Sequence, residues 1–208
     1  MNLFTKGDFG LFEIDGLDER MEVIRERIQP KFQYLGDEFN EYIHKQVDFE
    51  GGFHIAQHRR RTTNPPSSTW CSHGGTSRGY KKFPHIQVGI NEEHIFIWLA
   101  LIDNPKHENE MGKDLLRNQK NWNNLPEDFI VSKDHTISEV LECTTENVRS
   151  TVERLLNVKK GEFMIGRIIP NDSDLLSNQD KQLAYFKETY DFLIPLYRQL
   201  LTVYFSNE

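Results

Sequence analysis

Cysteine is scarce. The chain holds only Cys71 and Cys143 in 208 residues. Two isolated thiols build neither a disulfide framework nor a four-ligand zinc site. One bridge between them is the single pairing left open, and nothing else in the sequence points to an oxidising compartment. Long apolar runs are missing too. The longest, Ile95 to Ile102, has the length of a strand, well short of the roughly 20 residues a membrane-spanning helix needs. Residues 1–10 lack a basic start followed by an apolar stretch, so no secretory signal is expected there. No repeat, low-complexity tract or long linker interrupts the chain. The expectation is a cytoplasmic protein folded as a single globular domain over 1–208, with no membrane association. Oligomeric state leaves no mark in the sequence.

A further absence is local. The chain is acidic, with 32 Asp and Glu against 25 Lys and Arg and a net charge of −7. Yet residues 51–90 contain no acidic residue at all. That stretch holds Arg59, Arg60, Arg61, Arg78, Lys81 and Lys82, together with His54, His58, His73 and His85. One uninterrupted basic segment in an acidic chain points to an anionic partner at that segment. The overall acidity argues against general adhesion to nucleic acid or to anionic lipid.

Apolar residues at Leu17, Met21, Ile24, Ile28, Phe32, Leu35, Phe39 and Ile43 recur at helical spacing. Pro30 is expected to kink or split that helix into 18–29 and 31–47. Strands are predicted at 53–60, 69–72, 85–90, 94–103, 129–131 and 162–169, and further helices at 106–122, 144–157 and 178–204. Within 85–90, Ile86, Val88 and Ile90 share one face and His85, Gln87 and Gly89 the other. Strands clustered in the middle with helices around them predict an α+β fold, a two-layer sandwich with an antiparallel-rich central sheet covered by helices.

Two stretches could carry chemistry. In the predicted strand 53–60, alternation sets His54, Ala56, His58 and Arg60 on one face, followed by Arg61 and Asn64-Pro65-Pro66. Imidazoles beside a guanidinium suit a phosphate or carboxylate. The competing reading is a solvated sheet edge. In Ser77-Arg78-Gly79-Tyr80-Lys81-Lys82, a glycine among cations allows close backbone approach to an anion, and Tyr80 can stack on a ring. The competing reading is an exposed turn. Neither a Gly-x4-Gly-Lys-Ser/Thr loop nor Gly-x-Gly-x-x-Gly is present, and no motif implies a cofactor. His54, His58 and His85 could ligate a metal only if their strands adjoin, and the arginines would repel it, so no metal site is expected. Cys71 with His73 two residues on could form a nucleophile pair, against the commoner reading of a small buried cysteine. Arg167 could enter the site or pair with a carboxylate.

These motifs resemble the YktB-like family, small proteins of Gram-positive bacteria with no established activity. The features that carry the resemblance begin with Phe9, Gly16-Leu17-Asp18-x-Arg20-Met21 and His54-x3-His58-x-Arg60-Arg61-x2-Asn64-Pro65-Pro66. They continue through Thr69-Trp70, Arg78-Gly79-Tyr80-Lys81 and Pro84-His85-x-Gln87-x-Gly89, then run from Asn157 to Phe163. The resemblance spans nearly the whole chain. It implies a compact two-layer α+β domain and no particular activity.

The leading expectation is therefore binding of a small anionic ligand, phosphate- or carboxylate-bearing. Arg60 and Arg61 would clamp it, Arg78 and Lys81 would close over it, and His54, His58, Asn64, Tyr80 and His85 would complete the site. One alternative is an enzyme acting on a nucleotide-like ligand, with His58 or His85 as acid or base. Another is a module binding single-stranded nucleic acid through Trp70 and Tyr80, or an acidic protein. The acidic remainder of the chain counts against nucleic acid.

Overall fold

A computed structural model describes residues 3–208. The fold is α+β. Seven strands form one antiparallel sheet in the order β1-β2-β3-β4-β7-β5-β6. They span Phe53–Ile55 (β1), Ser68–His73 (β2), His85–Asn91 (β3), His94–Leu101 (β4), Ile130–Ser132 (β5), Leu141–Glu142 (β6) and Phe163–Pro170 (β7). The helices are α1 (Leu17–Val23), α2 (Gln29–Val47), α3 (Glu108–Arg117), α4 (Thr145–Asn157) and α5 (Gln179–Ser206). None is long and apolar enough to cross a membrane.

The sheet has two unlike faces. Ile86, Val88 and Ile90 of β3, Ile95, Ile97 and Leu99 of β4 and Cys71 of β2 join the main core, with residues from all five helices. The opposite face carries a smaller cluster of Phe96, Trp98, Ala100, Ile102 and Met164, flanked by Trp70, Ile130 and Ile168, with no helical residue in it. The period of two read from β3 thus held. β3 and β4 are buried at every position because the second face is covered as well, by loops instead of helices.

Pro30 does not divide the first helix. α1 passes through a π-type segment, Ile24–Ile28, directly into α2, where Pro30 stands in the first turn. Pro30 has no N–H to offer the Glu26 carbonyl, and the widened turn falls where its ring would crowd that oxygen. The helix from 144 and the strand from 162 form within a residue of expectation. Thr144 caps α4 by accepting the Asn147 N–H at 3.1 Å.

The predicted strand 53–60 is corrected. β1 ends at Ile55, and His58 adopts left-handed backbone at φ 50°. The Arg61 N–H then bonds the His58 carbonyl at 3.0 Å, closing a turn. Alternation fails past Ile55, so His54, His58 and Arg60 do not form one row on a strand. For Arg167 the structure chooses between the two readings left open. The residue is buried and bonds Asp128 at 3.0 Å and Glu188 at 2.6 Å, with the Phe129, Tyr185 and Phe192 rings around its guanidinium. It takes the carboxylate-pairing alternative.

Candidate functional site

The basic segment folds over the loop-covered face of the sheet. The last ladder bond beyond β1 runs from Ala56 N–H to the Trp70 carbonyl at 2.8 Å, and the chain then leaves the sheet. Two contacts fix where it goes. His58 Nε2 meets Thr69 Oγ1 at 3.1 Å. Buried Arg20 donates to the carbonyls of Phe12, Ile14 and Pro66 at 2.8, 2.8 and 2.9 Å, tying the far end of the loop to α1. Arg20 is thus a spacer for the loop, with each of its three nitrogens committed to a backbone carbonyl.

Between this loop and the turn at 80–82 lies a cleft of about 730 Å³. Residues 56–61 form one wall, and Trp70, Tyr80, Lys81 and Asp103 form the other. Four cations and one carboxylate therefore share it. Lys81 Nζ donates to Asp103 at 2.6 Å, and this hydrogen bond helps hold the Asp103 carboxyl below its ordinary value. Arg61 donates to the Asn64 and Pro65 carbonyls at 3.3 and 3.2 Å, bracing its own loop. Arg59 and Arg60 are exposed and have no carboxylate partner among the described residues.

Trp70 is the centre of the second wall. Its Nε1–H donates to Tyr80 Oη at 2.7 Å. The His58 ring meets it edge-on at 5.5 Å and the His135 ring at 6.0 Å. Tyr80 in turn packs against His85 at 4.7 Å and His54 at 5.4 Å between centroids.

The expected site residues therefore separate. His58, Arg60, Arg61, Tyr80 and Lys81 line the cleft. His54 lies behind Tyr80 with Nε2 committed to the Thr76 carbonyl at 2.8 Å. Arg78 sits exposed in the middle of a tight turn, whose Thr76 and Gly79 backbones bond one another in both directions at 3.0 Å. The Gly79 N–H is thereby spent, so the segment 77–79 offers an anion no free backbone cradle. Asn64 is exposed in the loop and contributes only its carbonyl, to Arg61. His85 is wholly buried, and its Nδ1–H is given to the Phe83 carbonyl at 2.8 Å.

Burial decides the acid–base chemistry of these rings. Desolvation lowers both His58 and His85 to about 4. Each is neutral at pH 7 and a poor proton donor there. Cys71 is buried in the main core, and burial pushes its thiol far up, so it is no nucleophile. Both cysteines are free thiols.

A pair that the sequence did not announce stands beside the cleft. His135 Nδ1 lies 2.8 Å from a Glu162 carboxylate oxygen, and the His135 backbone N–H donates to the same carboxylate at 2.9 Å. Glu162 is buried and also accepts the Asp103 N–H at 3.3 Å. Asp134, His135 and Glu162 bring one ligand atom each within 4.8 Å of the others. The hydrogen bonds just given, and those that Asp134 accepts from the Thr136 N–H and hydroxyl, account for the arrangement without an ion. His54, His58 and His85 form no such group among the described residues.

Residues 4–197 match the model of a domain of unknown function, DUF1054. A UPF0637 protein of Enterococcus faecalis is 48% identical over 198 residues, covering 95% of this chain and 98% of the relative. A UPF0637 protein of Oceanobacillus iheyensis is 43% identical over 198 residues, covering 95% and 96%. One from Listeria monocytogenes is 40% identical over 202 residues, covering 95% and 97%.

Proposed function

The chain belongs to the DUF1054 family, in keeping with the YktB-like resemblance of its motifs, and we propose that it binds a small anionic ligand in the cleft between the arginine turn and Trp70. One observation carries the reading. Arg59 and Arg60 line the cleft without a carboxylate partner among the described residues, since its one carboxylate, Asp103, is paired with Lys81, and Trp70 and Tyr80 line the same space. Unpaired guanidiniums sharing a cleft with aromatic side chains suit a planar or phosphorylated anion. Lys81 reaches the same space but is already committed to Asp103. The clamp is therefore Arg59 with Arg60, and Arg61 is the brace that holds the turn.

The test is a thermal-shift panel of phosphate- and carboxylate-bearing metabolites. A ligand at a hundred times its dissociation constant adds about 2.7 kcal/mol, a rise of roughly 5–10 °C for a chain of this size. Arg60→Ala should remove most of the shift. Lys159→Ala, on an exposed turn elsewhere, should leave it intact. A panel without any shift would sink the proposal.

A second reading has its own support. A histidine oriented by a buried carboxylate beside a cleft is an arrangement that serves general acid–base catalysis. In that reading the protein is an enzyme, and His135 takes the role the sequence suggested for His58 and His85. Incubation of any ligand found above, followed by mass analysis, separates the two. Conversion that is lost in His135→Gln supports the enzyme, and quantitative recovery of the ligand supports the binding protein.

A further inference from the structure

The sheet face beneath Tyr80 holds buried polar atoms without partners. Ser72 Oγ, Gln87 Nε2 and His85 Nε2 all lack a hydrogen-bond partner among the described residues, and their residues are 0%, 1% and 0% exposed. Such atoms are costly, about 1–3 kcal/mol each, and three together on one face are unusual. The register gathers them. Ser72 lies directly opposite Gln87 in the β2–β3 pair, and His85 is two residues from Gln87 on the same face. Tyr80 packs against His85 at one end of this row, accepts from Trp70 of the same strand as Ser72 at the other, and lines the cleft, so it stands between the cleft and the group.

The hydrogen-bonding character of each atom is fixed by its neighbours. Trp98 Nε1–H can only donate, and it donates to Gln87 Oε1 at 3.0 Å, so Gln87 Nε2 is a free donor. The Phe83 carbonyl can only accept, so His85 carries its proton on Nδ1 and presents Nε2 as a bare acceptor. Ser72 Oγ can serve either way. The group is neutral, offering a donor, an acceptor and a hydroxyl side by side. A phosphate would leave the acceptor facing an anion. The edge of a heterocyclic base, with a carbonyl next to an N–H, matches it.

We infer that Ser72, Gln87 and His85 form a polar subsite, roofed by Tyr80, for the edge of a neutral heterocycle, and that the ligand is a nucleotide-like anion. The inference rests on the anion reading of the cleft. The arginines take the anionic end, Trp70 and Tyr80 flank the ring, and Tyr80 swings aside to admit its edge.

Calorimetric titration with ribose 5-phosphate, the common nucleoside monophosphates and the matching nucleosides tests it. At least one nucleotide should bind about tenfold or more tightly than ribose 5-phosphate. Ser72→Ala removes a buried atom that makes no hydrogen bond, so the unliganded melting temperature should hold or rise. The same change should weaken the nucleotide about threefold to tenfold and leave ribose 5-phosphate unaffected. Equal binding of nucleotide and ribose 5-phosphate would overturn the subsite and leave the anion reading standing. Nucleosides that bind as well as nucleotides would keep the subsite and remove the anion reading. Binding of none would remove both. A crystal structure with a bound nucleotide outside, and only a fixed water beneath Tyr80, would also overturn the subsite.

Discussion

Five histidines are held below their ordinary value, and burial is the leading cause at each. His73 is lowered to about 3, His58, His85 and His94 to about 4, and His44 in the same direction. The folded state therefore refuses protons that the unfolded chain takes up near pH 6.5. Stability from these groups is complete above pH 6.5, and it falls progressively as pH drops toward 4. For the wholly buried His73 and His85, the loss between pH 6.5 and 5 is about 2 kcal/mol each. Urea unfolding at pH 7.5, 6 and 5 should show that slope before most carboxylates titrate, and His73→Gln should flatten it. A flat profile would mean that both rings reach water. At the same scale, Cys71 should resist thiol reagents until the protein is unfolded, read by counting labelled cysteines with and without denaturant.

At the scale of elements, close approach of strands sets the sharpest demand. Gly166 of β7 faces Trp98 of β4, and a methyl there would lie 2.0 Å from the Ile97 carbonyl oxygen. Backbone cannot yield as a side-chain tip can. Gly166→Ala should cost about 1–3 kcal/mol in chemical unfolding, by forcing the two strands apart. An unchanged midpoint would show that this pair of strands is loose. The periodic elements were legible for plain reasons. Helix α2 repeats Phe32, Leu35, Phe39 and Ile43 on its buried side, and Ile86, Val88 and Ile90 alternate along β3. The stretch 53–60 misled because polar alternation continues past Ile55, while the chain turns out of the sheet at His58. Two-residue β6 carries no pattern long enough to read.

For the molecule as a whole, the cationic cleft is a local exception on an acidic protein. Binding of a small anion should weaken only moderately as salt rises, because the site is partly walled from solvent. A short single-stranded RNA should bind no better than a single nucleotide, since the acidic surface beyond the cleft repels a continuing phosphate chain. Fluorescence anisotropy at low and moderate salt measures this. RNA binding tighter than the nucleotide, with a steep salt slope, would return weight to the nucleic-acid reading.

The sequence by itself determined the α+β class, the family and the basic segment. Each is written in local periodicity, in contiguous motifs or in composition, and none needs distant residues to meet. The tertiary structure decided which basic residues share a space. It placed Arg59 and Arg60 in the cleft, spent Arg61 on loop carbonyls and Arg20 on an anchor, and left Arg78 on an outer turn. It also joined His135 to Glu162, 27 positions apart, and set Ser72 opposite Gln87 across two strands. Those pairings arise from strand register and loop packing, where the energy depends on the whole sheet closing and no local pattern records the outcome.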